Sequence, residues 1–434
     1  MAVIRKKIMG PPGTGKTHRL VHHYLTKELN ELHTDPKRIA YVTFSKAAAL
    51  DGSKKIQDVF PGVELLYIST LHAMGTKELS IRPKEQLLNG IKWKQFKNVY
   101  PIYSDINFDS YVNEHGITIN QDRNLQVINF SRAKLISLEQ ACIDLKYHEG
   151  AVDIFRVKQL ERDIEYYKGQ TNMYEFSDMI KLFVDEEKHL ALDAIFLDEA
   201  QDLNPSQWRM FFYIEALCKR SYIAGDDDQT IFKFQGAESN KFIDLEGERD
   251  DQEQSYRVPK AVHRQALKIL PHITKRVKKQ WYAKDDEGEF IENCFLEEID
   301  FNEGEWMILA TTNKLLKDFA QHFYRTGIRV FGKGNTLLPQ KTLEAYRTWI
   351  KLNQGELVNM DDAKKIWEYL NYNKGHVKYG YSSGKNLKGD ELISLDVLKT
   401  THGLLIEGDW EQLNFDEDIK KYIKSILKSG DDLS

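Results

Sequence analysis

Apolar and polar positions follow two alternating rhythms in the first quarter of the chain. VIRKKIMG (3–10) reads as a strand that ends at a glycine-rich turn. From Lys16 to about Leu32, the apolar residues Leu20, Val21, Tyr24, Leu25 and Leu29 recur at helical spacing. RIAYVTF (38–44) is a short β-rich run, SKAAAL (45–50) starts a helix, and VELLYIST (63–70) is a third strand. Strand and helix in this order predict an α/β fold, a parallel sheet with helices on both faces. The rhythm is lost after Leu71. From about 78 to 165 the chain reads as helices and turns without strand alternation, which predicts a helical insertion. The parallel pattern returns with LDAIFLDEAQD (192–202), the helix PSQWRMFFYIEALCK (205–219) and the strand SYIAGDD (221–227). A new unit is predicted to begin near 256, with a strand at WMILATT (306–312) and a helix after it. Beyond about 338 the chain reads as mostly helical, for example TLEAYRTWIKL and DDAKKIWEYL. GYSSGKNLKG (380–389) is the best candidate for a flexible loop.

Composition narrows this picture. The 434 residues suggest two to four domains at roughly 150 residues each. A hydrophobic share of 41% and a charged share of 29% fit a folded chain rather than a disordered one. No apolar run is long enough to span a bilayer and no signal-peptide core follows MAVIRKK, so a cytoplasmic setting without membrane contact is expected. Cys142, Cys218 and Cys294 form no CxxC pair, which argues against a disulfide framework or a zinc site. The net charge of −5 means that any nucleic-acid binding must use a local track. One candidate is the basic run 257–279, which includes Arg257, Lys260, Arg276 and Lys279. Taken alone it reads as a solvated helix face.

The strongest chemistry is at Gly10-Pro11-Pro12-Gly13-Thr14-Gly15-Lys16-Thr17, a full GxxxxGK[ST] pattern between a strand and a helix. Its glycines let backbone N–H groups curl toward phosphate oxygens, and the helix that follows adds its positive end. Lys16 is expected to neutralise the β- and γ-phosphates of ATP, and the Thr17 hydroxyl to bind Mg²⁺. His18, the next residue, is grouped with the nucleotide pocket. A P-loop needs a second metal anchor, and the run Ala194–Leu197 followed by Asp198-Glu199 supplies one. Asp198 would hold Mg²⁺ through water, and Glu199 would polarise the attacking water as general base. Asp202 is a candidate helix N-cap. His18 and His22 have zinc-compatible spacing but lack a third ligand, and Asp226-Asp227-Asp228 is assigned no metal.

DEAQD (198–202) with GDDDQTIFKFQGA (225–237) resembles motifs II and III of UvrD/PcrA/Rep-type superfamily 1 DNA helicases. Weaker pieces follow in the family's order: VTFSKAAA (42–49), STLHAMG (69–75), YEFSDMI (174–180), QSYRVP (254–259) and WMILATTN (306–313). The resemblance covers about 1–335. It implies a RecA-like ATPase domain (1–77 and 166–255), interrupted by the helical insertion 78–165. A second RecA-like domain would start at 256–337, with a further helical insertion at 338–434. It implies that Gln229 senses the γ-phosphate, that Arg257 reaches the same phosphate from the second domain, and that Tyr256 stacks on adenine. Phe44, Lys46, His72, Phe232 and Phe234 would contact single-stranded DNA, because flat rings stack on any base. Phe234 stands where the family usually has Trp, and Gln235 where it usually has Arg.

The resemblance further implies ATP-driven 3′→5′ movement on single-stranded DNA or a single/double-strand junction, in replication, recombination or repair, in a bacterial or phage-infected cell. Only nine residues precede Gly10, so the family's upstream adenine motif is not seen. KTTHGLLIEGD (399–409) starts like motif V without its Lys-Gly-Leu-Glu, and nothing resembles motif VI. The expectation is an N-terminal portion of a longer or split helicase, completed by a C-terminal companion. The alternatives are an ATP- and DNA-binding module with little turnover and an unrelated P-loop ATPase or kinase. RNA as the track stays open.

Overall fold

The buried runs of the first 251 residues form one sheet. Its strands are β1 (Ile4–Met9), β2 (Ile39–Thr43), β3 (Tyr67–Thr70), β4 (Ala194–Asp198), β5 (Arg220–Gly225) and β6 (Glu248–Asp251). They lie in the order β3-β2-β4-β5-β1-β6, and every pairing is parallel. This computed structural model describes residues 3–108, 110–112, 118–120, 122–148, 150–301, 303–310, 313–330, 338–381, 387, 391–428 and 433.

The central strands are buried on both faces, as a sheet covered by helices requires. Alternate residues divide between two cores. Ile39, Tyr41, Ala194 and Phe196 pack on one side with Leu20, Val21 and Tyr24. Ala40, Val42, Ile195 and Leu197 pack on the other with Trp208, Phe211 and Phe183. One edge strand was not legible in the pattern. β6 is ERDD, wholly charged and largely exposed, and it pairs with β1 through its backbone and a Lys6–Glu248 ion pair. Charge on an edge strand discourages pairing with another chain.

The helices begin where side chains can cap them. After β1, α1 (Lys16–Arg19) runs on as wider π-helical turns over Leu20–Leu25 and Lys27–Glu31. α2 (Lys46–Val59) is capped by Ser45, whose Oγ accepts from Ala48 N, and α3 (Leu71–Glu78) by Thr70 in the same way. The insertion then contributes α4 (Gly90–Val99), α5 (Arg123–Lys134), α6 (Leu138–Asp144) and α7 (Ile154–Thr171), with a short antiparallel pair at Ser110–Val112 and Thr118–Asn120. It has its own core of Trp93, Phe96, Leu125, Leu160 and Tyr167, so its packing extends past the expected boundary at 165. Its two ends meet: Leu88 N donates to Tyr174 O (2.9 Å) and Tyr174 N to Gln86 O (2.8 Å). The chain returns through α8 (Phe176–Asp185) and α9 (Pro205–Glu215). α9 is capped by Asn204 and Gln207, not by Asp202.

The chain divides into two compact units, Met1–Ile291 and Glu292–Ser434. The break therefore falls later than the expected start near 256. Residues 256–291, including α10 (Lys260–Ile269), pack with the sheet unit. The second unit holds α11 (Asn313–Thr326), α12 (Gln340–Asn353), α13 (Met360–Trp367), α14 (Leu395–Thr400) and α15 (Glu417–Lys428) around Trp349, Ile366, Leu398 and Tyr422. The strand expected at 306–312 is not seen over 306–310. No neighbouring strand pairs with it among the described residues, and Trp306, Met307 and Leu309 are exposed. Residues 311–312 and most of the 380–389 loop lie outside the described residues. Among the described residues, no helix is long and apolar enough to cross a membrane.

Candidate nucleotide and nucleic-acid site

Parallel strands deliver all their carboxyl ends to one edge, where ligands of open α/β sheets bind. Gly10–Thr17 follows β1, Phe44 and Lys46 follow β2, and His72 follows β3. Glu199 follows β4, which ends at Asp198, and Gln229 follows β5.

The P-loop is held from inside and outside. Gly13 (φ 73°) and Gly15 (φ 84°) adopt the left-handed conformation. A Cβ on Gly13 would lie 2.4 Å from Arg257 Cβ and 3.0 Å from Ser255 Oγ, so only glycine fits. The segment after β6 braces the loop. Ser255 Oγ donates to Pro12 O (2.8 Å) and Tyr256 N to Gly13 O (2.9 Å). This places Tyr256 and Arg257, both exposed, beside the loop and within the first unit rather than the second. Lys16 Nζ donates to Gly10 O (2.8 Å) and Pro11 O (3.4 Å).

Thr17 Oγ1 donates to Asp198 Oδ2 (2.7 Å), and Tyr41 Oη donates to the same oxygen (2.9 Å). Burial and the neighbouring Glu199 push the Asp198 carboxyl above its usual range, against the two hydroxyl bonds. A hydroxyl and a carboxylate oxygen converging in this way form a hard donor set that fits Mg²⁺. Glu199 sits at φ 56°, left-handed for a non-glycine residue. Strain of that kind clusters at functional positions. Gln201 Nε2 donates to Glu199 Oε2 (2.8 Å), and Gln201 Oε1 accepts from Asp226 N (2.9 Å). Gln201 thus joins the ends of β4 and β5, a role not legible in the sequence. Gln229 Nε2 donates to Asp226 Oδ2 (2.6 Å). His18 is exposed and stacks on His22 with centroids 3.8 Å apart. Among the described residues, no group of three His, Cys, Asp or Glu side chains could hold a metal.

The basic run at 257–279 is mostly paired rather than free. Lys260 meets Asp285, Arg264 meets Glu287, Lys275 meets Asp244, Arg276 meets Asp228, and Lys279 meets all three aspartates at 226–228. Most of the run is thus a solvated face with exposed ion pairs, and only Arg276 and Lys279 are drawn inward, onto the aspartates.

The aromatic residues come together, with different exposures. Phe44 is 4% exposed and belongs to the core; its ring lies 5.0 Å from that of Phe232, which lies 6.3 Å from that of Phe234. Only Phe234, 65% exposed, presents an open face. Lys46 is exposed nearby in sequence, at the start of α2. His72 lines a cavity of about 410 Å³ with Phe176, Phe234, Trp93, Tyr147 and Gln235. Burial drives the His72 imidazole down to about 4, so it is neutral at physiological pH. Among the described residues, the Gln235 amide is buried there without a hydrogen-bond partner, as is Ser177 Oγ. A cavity with aromatic walls and an unpaired amide suits a flat polar ring.

Residues 5–250, more than half of the chain, match the UvrD/REP helicase N-terminal domain. The chain belongs to this family. Among UvrD/REP relatives, it is 24% identical over 395 residues to the ATP-dependent DNA helicase PcrA of Bacillus subtilis, covering 84% of this chain and 50% of that protein. It is 26% identical over 254 residues to the ATP-dependent DNA helicase Rep of Buchnera aphidicola subsp. Baizongia pistaciae, covering 55% and 36%. The chain thus spans half or less of the length of these UvrD/REP relatives. The matched segment ends inside β6, so it contains the whole carboxyl edge except the 252–258 brace.

Proposed function

We propose that this chain hydrolyses ATP and uses the energy to move on single-stranded DNA. The observation that carries the reading is the contact of Thr17 with Asp198 at the mouth of a glycine-shaped P-loop, on the sheet edge that also carries Phe232 and Phe234. Lys16 leaves its loop carbonyls to meet the β- and γ-phosphates. Thr17 and Asp198 hold Mg²⁺, which when bound neutralises charge on the phosphate oxygens. Glu199 takes the proton of the attacking water, and Gln229 orients that water. Arg257 stabilises charge that develops on the γ-phosphate, and Tyr256 covers the adenine. Phe234 and the cavity behind it, with His72, receive bases without reading their sequence. The relatives' printed names describe ATP-dependent DNA helicases, which supports DNA as the track. Direction 3′→5′, action at single/double-strand junctions and a role in replication, recombination or repair belong to the same proposal.

The test is steady-state ATP hydrolysis by the full 434-residue chain, with and without single-stranded DNA, beside Lys16→Ala. Strong DNA stimulation that falls at least about 100-fold in the variant supports the motor. Tight binding of a fluorescent ATP analogue without turnover would replace it with the second reading, an ATP- and DNA-binding module that needs a companion carrying motifs V and VI.

A further inference from the structure

Asp226, Asp227 and Asp228 are consecutive carboxylates in a buried turn, and such a cluster needs a countercharge. Lys279, some fifty residues further along the chain, supplies it. Its ammonium lies 2.5 Å from Asp226 Oδ1, 2.5 Å from Asp227 Oδ1 and 3.0 Å from Asp228 Oδ2, and its side chain is only 4% exposed. Burial works against the charged amine, but Asp226 and Asp227 outweigh it and hold its pKa above the ordinary lysine value. Three further bonds dock the same segment. Arg276 forms a bidentate pair with Asp228 (2.7 Å each), and Val277 N donates to Asp227 Oδ2 (2.7 Å).

The two oxygens of Asp226 are engaged differently. Oδ1 takes Lys279, while Oδ2 accepts from Gln229 Nε2 at 2.6 Å. A carboxylate in this state only accepts, so the Gln229 nitrogen must face it and the Gln229 carbonyl oxygen must face away. Asp226 is thereby held by Gln201 on its N–H, by Gln229 on Oδ2, and on Oδ1 by Lys279 together with the Asp228 N–H (3.3 Å).

We propose that Lys279 is a positioning residue for Gln229: by neutralising and locking Asp226, it fixes the amide so that its carbonyl is turned to the water that attacks the γ-phosphate. This rests on the hydrolytic reading above. Without the ammonium, three aspartates would share only the Arg276 charge. Asp226 would lose its main countercharge and be free to rotate, and the Gln229 amide that rests on it would turn with it. Binding of ATP depends on the P-loop, which Lys279 does not touch. The proposal therefore separates turnover from nucleotide affinity.

The experiment compares Lys279→Met, Lys279→Arg and Arg276→Ala with the parent in the full chain. It measures kcat and KM for DNA-stimulated ATP hydrolysis, the Kd of a fluorescent ATP analogue and the thermal unfolding midpoint. Lys279→Met is expected to lower kcat about 10- to 100-fold with Kd changed less than about 2-fold. Lys279→Arg, which restores the positive charge, is expected to recover most of the loss. Arg276→Ala, which loosens the same segment without touching Asp226, is expected to lower the unfolding midpoint and leave kcat within about 2-fold. An unchanged kcat in folded Lys279→Met overturns the proposal, and so do equal kcat losses in Lys279→Met and Arg276→Ala. If Lys279→Met does not fold, Asp226→Asn decides. It keeps an acceptor for Gln229 but removes the charge that Lys279 answers; a kcat loss supports the proposal and a parental kcat overturns it. A parent chain that binds nucleotide without hydrolysing it would instead refute the hydrolytic reading, and fluorescent-analogue binding distinguishes the two failures.

Discussion

Asp202 stands at the end of the DEAQD run with one carboxyl oxygen buried and unpartnered. Burial, with Glu199 beside it, lifts this carboxyl to about 8. The folded state therefore holds a proton that the unfolded state releases near 4. Between those values the folded chain binds more protons, so this residue makes stability fall as pH rises, until the loss is complete above about 8. From pH 6 to pH 8 the loss is up to roughly 2 kcal/mol, at about 1.4 kcal/mol per pH unit. Asp202→Asn, which cannot ionise, should flatten that slope in urea unfolding followed at pH 6, 7 and 8. A parallel pair of curves would show that Asp202 is already ionised. At this scale the sequence was legible wherever neighbours in the chain act together, as in Gly10–Thr17 and Asp198-Glu199. It was opaque where partners are distant. The Lys279 ammonium looked like one of many surface cations because its aspartates lie some fifty positions away. Phe44 looked like a base-stacking ring, but the same apolar surface is worth more in the core beneath Phe232.

The seam between the insertion and the sheet domain is built from charge. Arg132 on α5 meets Glu175 (2.5 Å) and Glu165 (2.5 Å), and Lys168 on α7 meets Asp178 on α8 (2.8 Å) and Glu175 (3.2 Å). Burial disfavours the ionised Glu175, but Arg132 and Lys168 overcome it and hold its carboxyl below the usual range. Stability from Glu175 is thus present above the ordinary glutamate pKa and lost as pH falls through its folded value. Removing one member of such a buried network leaves its partners uncompensated, at about 3–5 kcal/mol. Lys168→Met should show a loss of that size in urea unfolding at pH 7. A change below about 1 kcal/mol would mean that the seam is solvated. Elements were legible in the sequence when one face was apolar. The helix at Pro205–Glu215 followed from that rhythm, the central strands from runs apolar on both faces, and the insertion only from the loss of strand alternation. ERDD carries no such rhythm, because an edge strand needs only its backbone. WMILATT has the rhythm but no strand beside it in the described residues.

The whole molecule has two compact units, each with its own apolar core. The core of the second unit shares no residue with the three cores of the first, which predicts two unfolding transitions in calorimetry of the full chain. Trp208 is 1% exposed in the first unit, and Trp349 is fully buried in the second, with its Nε1 donating to Gly408 O (2.9 Å). Trp349→Ala should destabilise one transition by about 3–5 kcal/mol and leave the other in place, and Trp208→Ala should do the reverse. A single transition shifted by both substitutions would show that the units unfold together.

The insertion leaves and re-enters the sheet domain through one doorway, where Gln86 and Leu88 are bonded to Tyr174. The two crossings of the chain are therefore adjacent, and the Arg132 and Lys168 seam ties the insertion to α8 beside them. Such a segment behaves as an interchangeable cassette. It can lengthen or shorten without re-threading a strand, so long as the doorway bonds and the Arg132–Glu175 and Lys168–Asp178 pairs are kept. In lineage terms, this is a place where related chains can diverge in size while the strands of the sheet keep their order. In the laboratory, it is a place to graft a reporter between two adjacent crossings of the backbone.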